Sequence, residues 1–105
     1  MGIGPVPAIR SVLAQAGHII DDIDRFEINE AFAAQCLAVS KGLDLDQEKL
    51  NVNGGAIAVG HPLAATGVRL ALTCLQTLHR DDKQLGVISA CVGGGQGIAM
   101  LLERC

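Results

Sequence analysis

The chain contains no tryptophan or tyrosine and only two phenylalanines in 105 residues, so the aromatic platforms on which single-stranded nucleic acid stacks are missing. Basic runs are missing too. Eight Lys and Arg against eleven Asp and Glu leave a net charge of -3, and no stripe of positive charge offers phosphates a counter-surface. Nucleic acid is therefore excluded as a partner. No apolar run approaches the roughly 18 residues that a membrane-spanning helix requires. The N-terminus also lacks the basic segment, apolar stretch and cleavage site of a secretion signal. The expectation is a cytoplasmic protein with no membrane contact. Met1-Gly2 opens like a lipidation signal, but Val6 stands where that signal needs Ser or Thr. The four cysteines (Cys36, Cys74, Cys91, Cys105) are too widely spaced for a CxxC redox pair or a zinc ribbon. They read as reduced thiols, with no metal site among them.

What is present is apolar material. Half of the residues are hydrophobic and the mean hydropathy is +0.38, enough for one domain with a buried core. Pro5 and Pro7 can open a helix, Ile9, Val12, Leu13 and Ala16 form its stripe, and Gly17 stops it. After an acidic turn, Arg25 to Asn29 alternates polar and apolar as a half-buried strand does. Glu30 to Ser40 is rich in helix formers, with Asn29 as its cap and Gly42 near its end. A polar connection from Gly42 to Asn51 precedes the glycine-rich tract Val52 to Gly67. Next comes a longer helix whose core face is expected to carry Val68, Ala71, Leu72, Leu75 and Leu78. Two apolar runs, Leu85 to Val92 and Ile98 to Leu102, flank Gly93-Gly94-Gly95-Gln96-Gly97 and predict a hairpin with both strands buried on both faces. The order helix, strand, helix, helix, strand, strand specifies an α/β protein with helices packed on a small mixed sheet. No internal repeat, low-complexity segment or linker interrupts it.

Three polar residues sit beside glycines or at element junctions, not on amphipathic faces: Asn29, His61 and Cys91. His61, between Gly60 and Pro62 and ahead of a helix start, is placed to aim an imidazole into a pocket. The alternative is a loop histidine satisfied by a backbone carbonyl. Cys91 closes a strand before glycines whose N-H groups can act as donors, and its alternative is a small core residue. Cys36 and Cys74 fall within helices and read as core, Cys105 as a free end, and His18 and His79 as surface residues at helix ends. Two phosphate motifs fail. Gly55 to Pro62 has Walker-like spacing but carries His61-Pro62 where lysine and a hydroxyl belong, and Gly93 to Gly97 leads into a strand where a dinucleotide site needs a helix.

Taken together, NEAFA at Asn29 to Ala33, NGGAIAVGHPLAATG at Asn53 to Gly67 and CVGGGQG at Cys91 to Gly97 resemble the three C-terminal sequence blocks of the thiolases. MGIGPVPA at Met1 to Ala8 resembles the segment before them, so the likeness spans the whole chain. The resemblance implies CoA-dependent acyl transfer: thiolytic cleavage of a 3-ketoacyl-CoA, or the reverse Claisen condensation. It further implies that His61 activates the thiol nucleophile and helps hold a thioester oxyanion, and that Asn29 positions a water in the same oxyanion hole. Cys91 would remove or return the α-proton, the Gly93 N-H would serve a second oxyanion hole, and Met1 and Phe32 would line the pocket. Coenzyme A and acyl-CoA enter as substrates, with no covalently bound cofactor. A thioester α-proton calls for a thiolate base close to the carbon and fixed donors at the enolate oxygen.

Two departures from the family pattern carry expectations. Ala64 stands where many members have glycine, a hint toward degradative 3-ketoacyl-CoA thiolases. The cysteine that accepts the acyl group, and the loop region that grips CoA, belong to parts of the family's fold not found in these residues. The expectation is therefore a single unit, 1–105, comprising a thiolase C-terminal domain without its first strand and without the N-terminal half of the five-layer αβαβα architecture. An unpaired sheet edge should result. Such a chain would be inactive until joined by that half, and would assemble as a homo-oligomer. The alternative is a non-catalytic thiolase-like module that binds acyl groups or serves as an assembly surface.

Overall fold

The computed structural model describes all 105 residues. Helix α1 (Pro5–Ala16) starts with Pro5 at the first helical position, where a missing N-H breaks no bond, and ends at Gly17 with φ 74°. Strand β1 (Arg25–Ile28) follows, then α2 (Ala33–Leu43), the one-turn α3 (Ala56–Val59), α4 (Thr66–Arg80), β2 (Leu85–Val92) and β3 (Gln96–Glu103). The expected α/β class and mixed sheet are both present. The sheet runs β1-β2-β3. Strand β1 lies parallel to β2, with Ile28 opposite Ser89, and β2 is antiparallel to β3, with Cys91 opposite Gly97. The outer edge of β3 has no partner strand.

Because side chains alternate along a strand, the sheet presents two faces, and each is covered by helix. Phe26, Ile28 and Val87 pack with Val6, Ile9 and Leu13 of α1 and with Cys36, Val39 and Leu43 of α2. On the other face Ile88 packs with Leu70, Cys74 and Leu78 of α4. The result is a three-layer α/β/α sandwich. Each fully buried Leu or Ile side chain contributes roughly 1.5 to 3 kcal/mol. Layer spacing depends on glycine at one close approach in particular. A Cβ on Gly97 would lie 2.1 Å from the Gly4 carbonyl oxygen, so only glycine lets the start of α1 meet the start of β3.

Several expectations are corrected. Of the stripe on α4 that should face the core, Leu78 is buried and Ala71 half-buried, but Val68, Leu72 and Leu75 are exposed, and Leu70 and Cys74 are buried in their place. Helix α4 has two apolar stripes, and periodicity alone cannot say which one meets the sheet. Strand β3 is not buried on both faces, since Ile98 and Met100 are exposed where α4 stops short of the sheet edge. Asn29 does not cap α2. Its N-H continues the ladder to the Ser89 carbonyl at 2.9 Å, the helix begins three residues after the Glu30 start expected, and Phe32 holds the cap position. The helix also runs past Gly42, ending at Asp44 in the left-handed region.

Candidate active site

Strand β1 delivers Asn29 to the C-terminal edge of the sheet, where open α/β sheets place their ligands. The side chain of Asn51 fixes that end by accepting the Ile28 N-H at 2.9 Å and donating to the Ile28 carbonyl at 2.9 Å. Asn29 itself is 2% exposed, yet its Oδ1 accepts no hydrogen bond. Leaving a buried amide oxygen unpaired costs about 1 to 3 kcal/mol, a condition Asn29 shares with both side-chain amide atoms of Gln35, with Glu27 Oε2 and with Nε and Nη2 of Arg69. Next in the chain, Glu30 Oε1 accepts the Ile57 N-H at 3.2 Å, placing its negative charge at the start of α3 and tying that loop to the end of β1.

His61 follows α3 and Gly60, which has φ 96°. It is exposed and does not directly precede a helix, because a turn from Pro62 to Ala65 intervenes before α4. Its ring is nevertheless anchored: Nδ1 lies 2.5 Å from Oγ1 of Thr66, and the Thr66 hydroxyl lies 3.2 Å from the Pro62 carbonyl. Thr66, buried at the first turn of α4, escaped notice in the sequence. Its signal was a hydroxyl residue five positions after the histidine.

Cys91 lies near the end of β2, half-buried and paired with Gly97. Alternation puts its side chain on the α1 face with Val87 and Ser89, whereas Asn29 shares the α4 face with Glu27. The two therefore share the same end of the sheet but point to opposite faces. The turn that follows carries Gly94 and Gly95 at φ 82° and 80°, and Gly93, Gly94 and Gly95 donate no backbone hydrogen bond within the chain. Their N-H groups are free for a ligand. The start of α4 comes to the same end, because Gly67 and Ala90 border one cleft, and the Gly4–Gly97 contact brings the start of α1 there too. Met1 and Phe32, just before α1 and α2, are both more than half exposed. No hydrogen bond joins Asn29, His61 and Cys91 to one another. What the site offers is an unpaired amide oxygen, an anchored imidazole, a thiol and a row of free N-H groups.

The other thiols are different in kind. Burial pushes the Cys36 thiol up to about 11 and the Cys74 thiol up to about 12, so both stay protonated as core residues, as their helical positions implied. Cys105 is exposed. Beneath the site lies one further charge that the sequence did not reveal. Glu27 was expected on the polar side of a half-buried strand, but α4 covers that side. Burial holds its carboxyl up at about 7, partly offset by Arg69, whose Nη1 is 3.9 Å from Glu27 Oε2. No helix is long and apolar enough to cross a membrane.

The family model for the thiolase C-terminal domain matches residues 1–104. Acetyl-CoA acetyltransferase of Escherichia coli is 58% identical over 104 residues, covering 99% of this chain and 26% of the bacterial protein. The mitochondrial 3-ketoacyl-CoA thiolase of Bos taurus is 55% identical over 104 residues, with the same coverage of 99% and 26%. The crystal structure of human mitochondrial 3-ketoacyl-CoA thiolase in complex with CoA superposes with a TM-score of 0.97 at 53% identity, covering 99% of this chain and 26% of that one. The chain thus spans about a quarter of the length of the relatives it matches.

Proposed function

The chain belongs to the thiolase family as a C-terminal domain, and from that premise we propose that it is the proton-handling segment of a CoA-dependent acyltransferase. The reaction is thiolytic cleavage of a 3-ketoacyl-CoA, or Claisen condensation in reverse. In the cleavage direction a cysteine of the N-terminal half attacks the keto carbon as its proton passes to His61, the carbon–carbon bond breaks, the Cys91 thiol protonates the departing carbanion to release acetyl-CoA, and the proton held by His61 restores the Cys91 thiol. In the second step the CoA thiol passes its proton to His61 and attacks the acyl-enzyme, and the departing cysteine takes that proton back. Asn29 holds a water in the oxyanion hole shared with His61, and the Gly93 N-H serves the oxyanion on the Cys91 side. Each such donor is typically worth about 3 kcal/mol of barrier. Met1 and Phe32 line the acyl pocket.

The observation that supports this reading is the buried, unpaired Oδ1 of Asn29 at the end of β1, beside the end of β2 that carries Cys91 and the free Gly93 N-H. Dependence on an N-terminal half follows from two features. None of the four cysteines stands in the context of an acyl-accepting nucleophile, and an open apolar cleft of about 340 Å³ between α4 and β3, bordered by Val68, Ile98 and Met100, has nothing to cover it. Cytoplasmic action and assembly as a homo-oligomer, encouraged by the bare edge of β3, complete the proposal. Incubation with acetoacetyl-CoA and CoA tests it. The chain alone should show no thiolysis and should gain it when the N-terminal half of the Escherichia coli relative is supplied. Thiolysis by the 105 residues alone, or none after that addition, would overturn it.

A further inference from the structure

We propose that Thr66 is a positioning residue that holds His61 in the tautomer with its proton on Nδ1, leaving the Nε2 lone pair as the base that meets the incoming thiol. The inference deepens the acyltransferase reading and rests on it for its kinetic consequence, but the tautomer itself does not.

A threonine hydroxyl has one proton and two lone pairs. At Thr66 that proton has an oxygen acceptor, the Pro62 carbonyl at 3.2 Å, one turn back along the entry to α4, in the manner of helical threonines; this carbonyl also accepts the Ala65 and Thr66 N-H groups at 2.7 and 2.9 Å. In the proposed arrangement the hydroxyl shares that carbonyl, its lone pairs face the ring, and Nδ1 of His61, at 2.5 Å, is the donor. The side chain is not free to swing away. Thr66 is 3% exposed, its own N-H donates to the Pro62 carbonyl at 2.9 Å, and its β-branched side chain is restricted at χ1. The exposed ring of His61 is thus fixed at one nitrogen by a buried partner, with Nε2 facing outward.

The choice of tautomer decides the chemistry. An imidazole that takes a proton from a thiol must present a bare nitrogen, and the imidazolium that forms must keep an acceptor for its other N-H. A hydroxyl committed to Pro62 supplies that acceptor in both states. A hydroxyl that instead donated to Nδ1 would leave Nε2 protonated, unable to accept from the thiol. This is the role a carboxylate plays behind many catalytic histidines, filled here by a neutral group from the first turn of a helix. Serine would serve as well as threonine, and valine, of the same shape, would not.

Long-range proton–nitrogen NMR of the chain at pH 9 reads the tautomer directly, with the His61 signals identified by their loss in His61→Gln. The expected result is Nδ1-H as the main form at His61, whereas exposed His79 shows the Nε2-H form that free imidazoles prefer. Thr66→Val should shift His61 toward Nε2-H, and Thr66→Ser should keep the wild-type pattern. A wild-type His61 with its proton mainly on Nε2, which needs no variant to fold, would overturn the assignment. So would a Val variant with an unchanged ratio. In the enzyme assembled with its N-terminal half, Thr66→Val should lower kcat at least tenfold and Thr66→Ser should restore it. A tautomer that shifts without any loss of kcat would overturn the positioning role while leaving the acyltransferase reading intact, and absence of activity in the assembled wild type would count against that reading instead.

Discussion

Glu27→Gln is the perturbation that most directly tests how the site is supported. The Glu27 side chain is 2% exposed between β1 and α4, and the Arg69 guanidinium approaches only to 3.9 Å, beyond hydrogen-bond distance. Burial therefore dominates and raises the folded carboxyl to about 7 from the usual 4.5. The sign follows from proton linkage. Between these values the folded chain binds a proton that the unfolded chain has released, so the stability contributed by Glu27 is complete below pH 4.5 and disappears as pH rises through 7. The gap corresponds to about 3 kcal/mol, a large share of the roughly 5 to 15 kcal/mol that holds a domain together. Glutamine resembles the protonated acid and never ionises. The variant should match the wild type near pH 4.5 and exceed it by about 3 kcal/mol at pH 8. Urea unfolding followed by circular dichroism at pH 4.5, 6, 7 and 8 measures this. Parallel stability curves for the two proteins, or a variant weaker than the wild type at pH 8, would show that the carboxylate is charged and compensated by Arg69, and the argument would fail.

Asp81 should behave in the opposite sense. Arg80 first and Arg25 second hold its carboxyl down at about 2, so the stability it contributes is present above pH 3.8 and is lost as pH falls toward 2, a decline that Asp81→Asn should remove in acid titrations. Leu78→Ala should cost about 2 to 5 kcal/mol in urea unfolding, as buried leucines do, whereas Leu72→Ala on the exposed stripe of α4 should change stability by about 0.5 kcal/mol or less. Gly97→Ala should destabilise by at least about 1 kcal/mol, because the added methyl meets the Gly4 carbonyl at 2.1 Å. Iodoacetamide at pH 8, read by peptide mass mapping, should modify Cys105 and Cys91 while Cys36 and Cys74, buried with raised thiols, stay intact until urea is added.

Local rules located most of the architecture. Pro5 and Gly17 bounded α1, and the glycine cluster marked the hairpin turn, because each depends on a residue's own backbone freedom. The misreadings share a cause. Whether Leu72 or Leu70 enters the core, and whether Glu27 faces water or a helix, depends on where α4 lies over the sheet, and that placement is set by its packing on β2 and β1, not by the helix's own sequence. Asn29 was singled out at the junction of a strand and a helix, where a cap was expected. It extends the strand instead, and its unpaired Oδ1 is a feature that no sequence displays. Thr66 was hidden in the same way. A hydroxyl at a helix start is ordinary until the histidine it touches is known.

The central claim is that Cys91 works as an acid and base at carbon and not as the acyl carrier. It is tested most directly by following deuterium from solvent into the acetyl group of acetyl-CoA, with this segment assembled onto the N-terminal half of the Escherichia coli relative. In parallel, labelled CoA exchanging into acetyl-CoA reports acyl transfer alone. Cys91→Ala is expected to lower deuterium exchange by at least about 100-fold while CoA exchange continues near the wild-type rate. Undiminished deuterium exchange in that variant, or loss of both reactions together, would contradict the account.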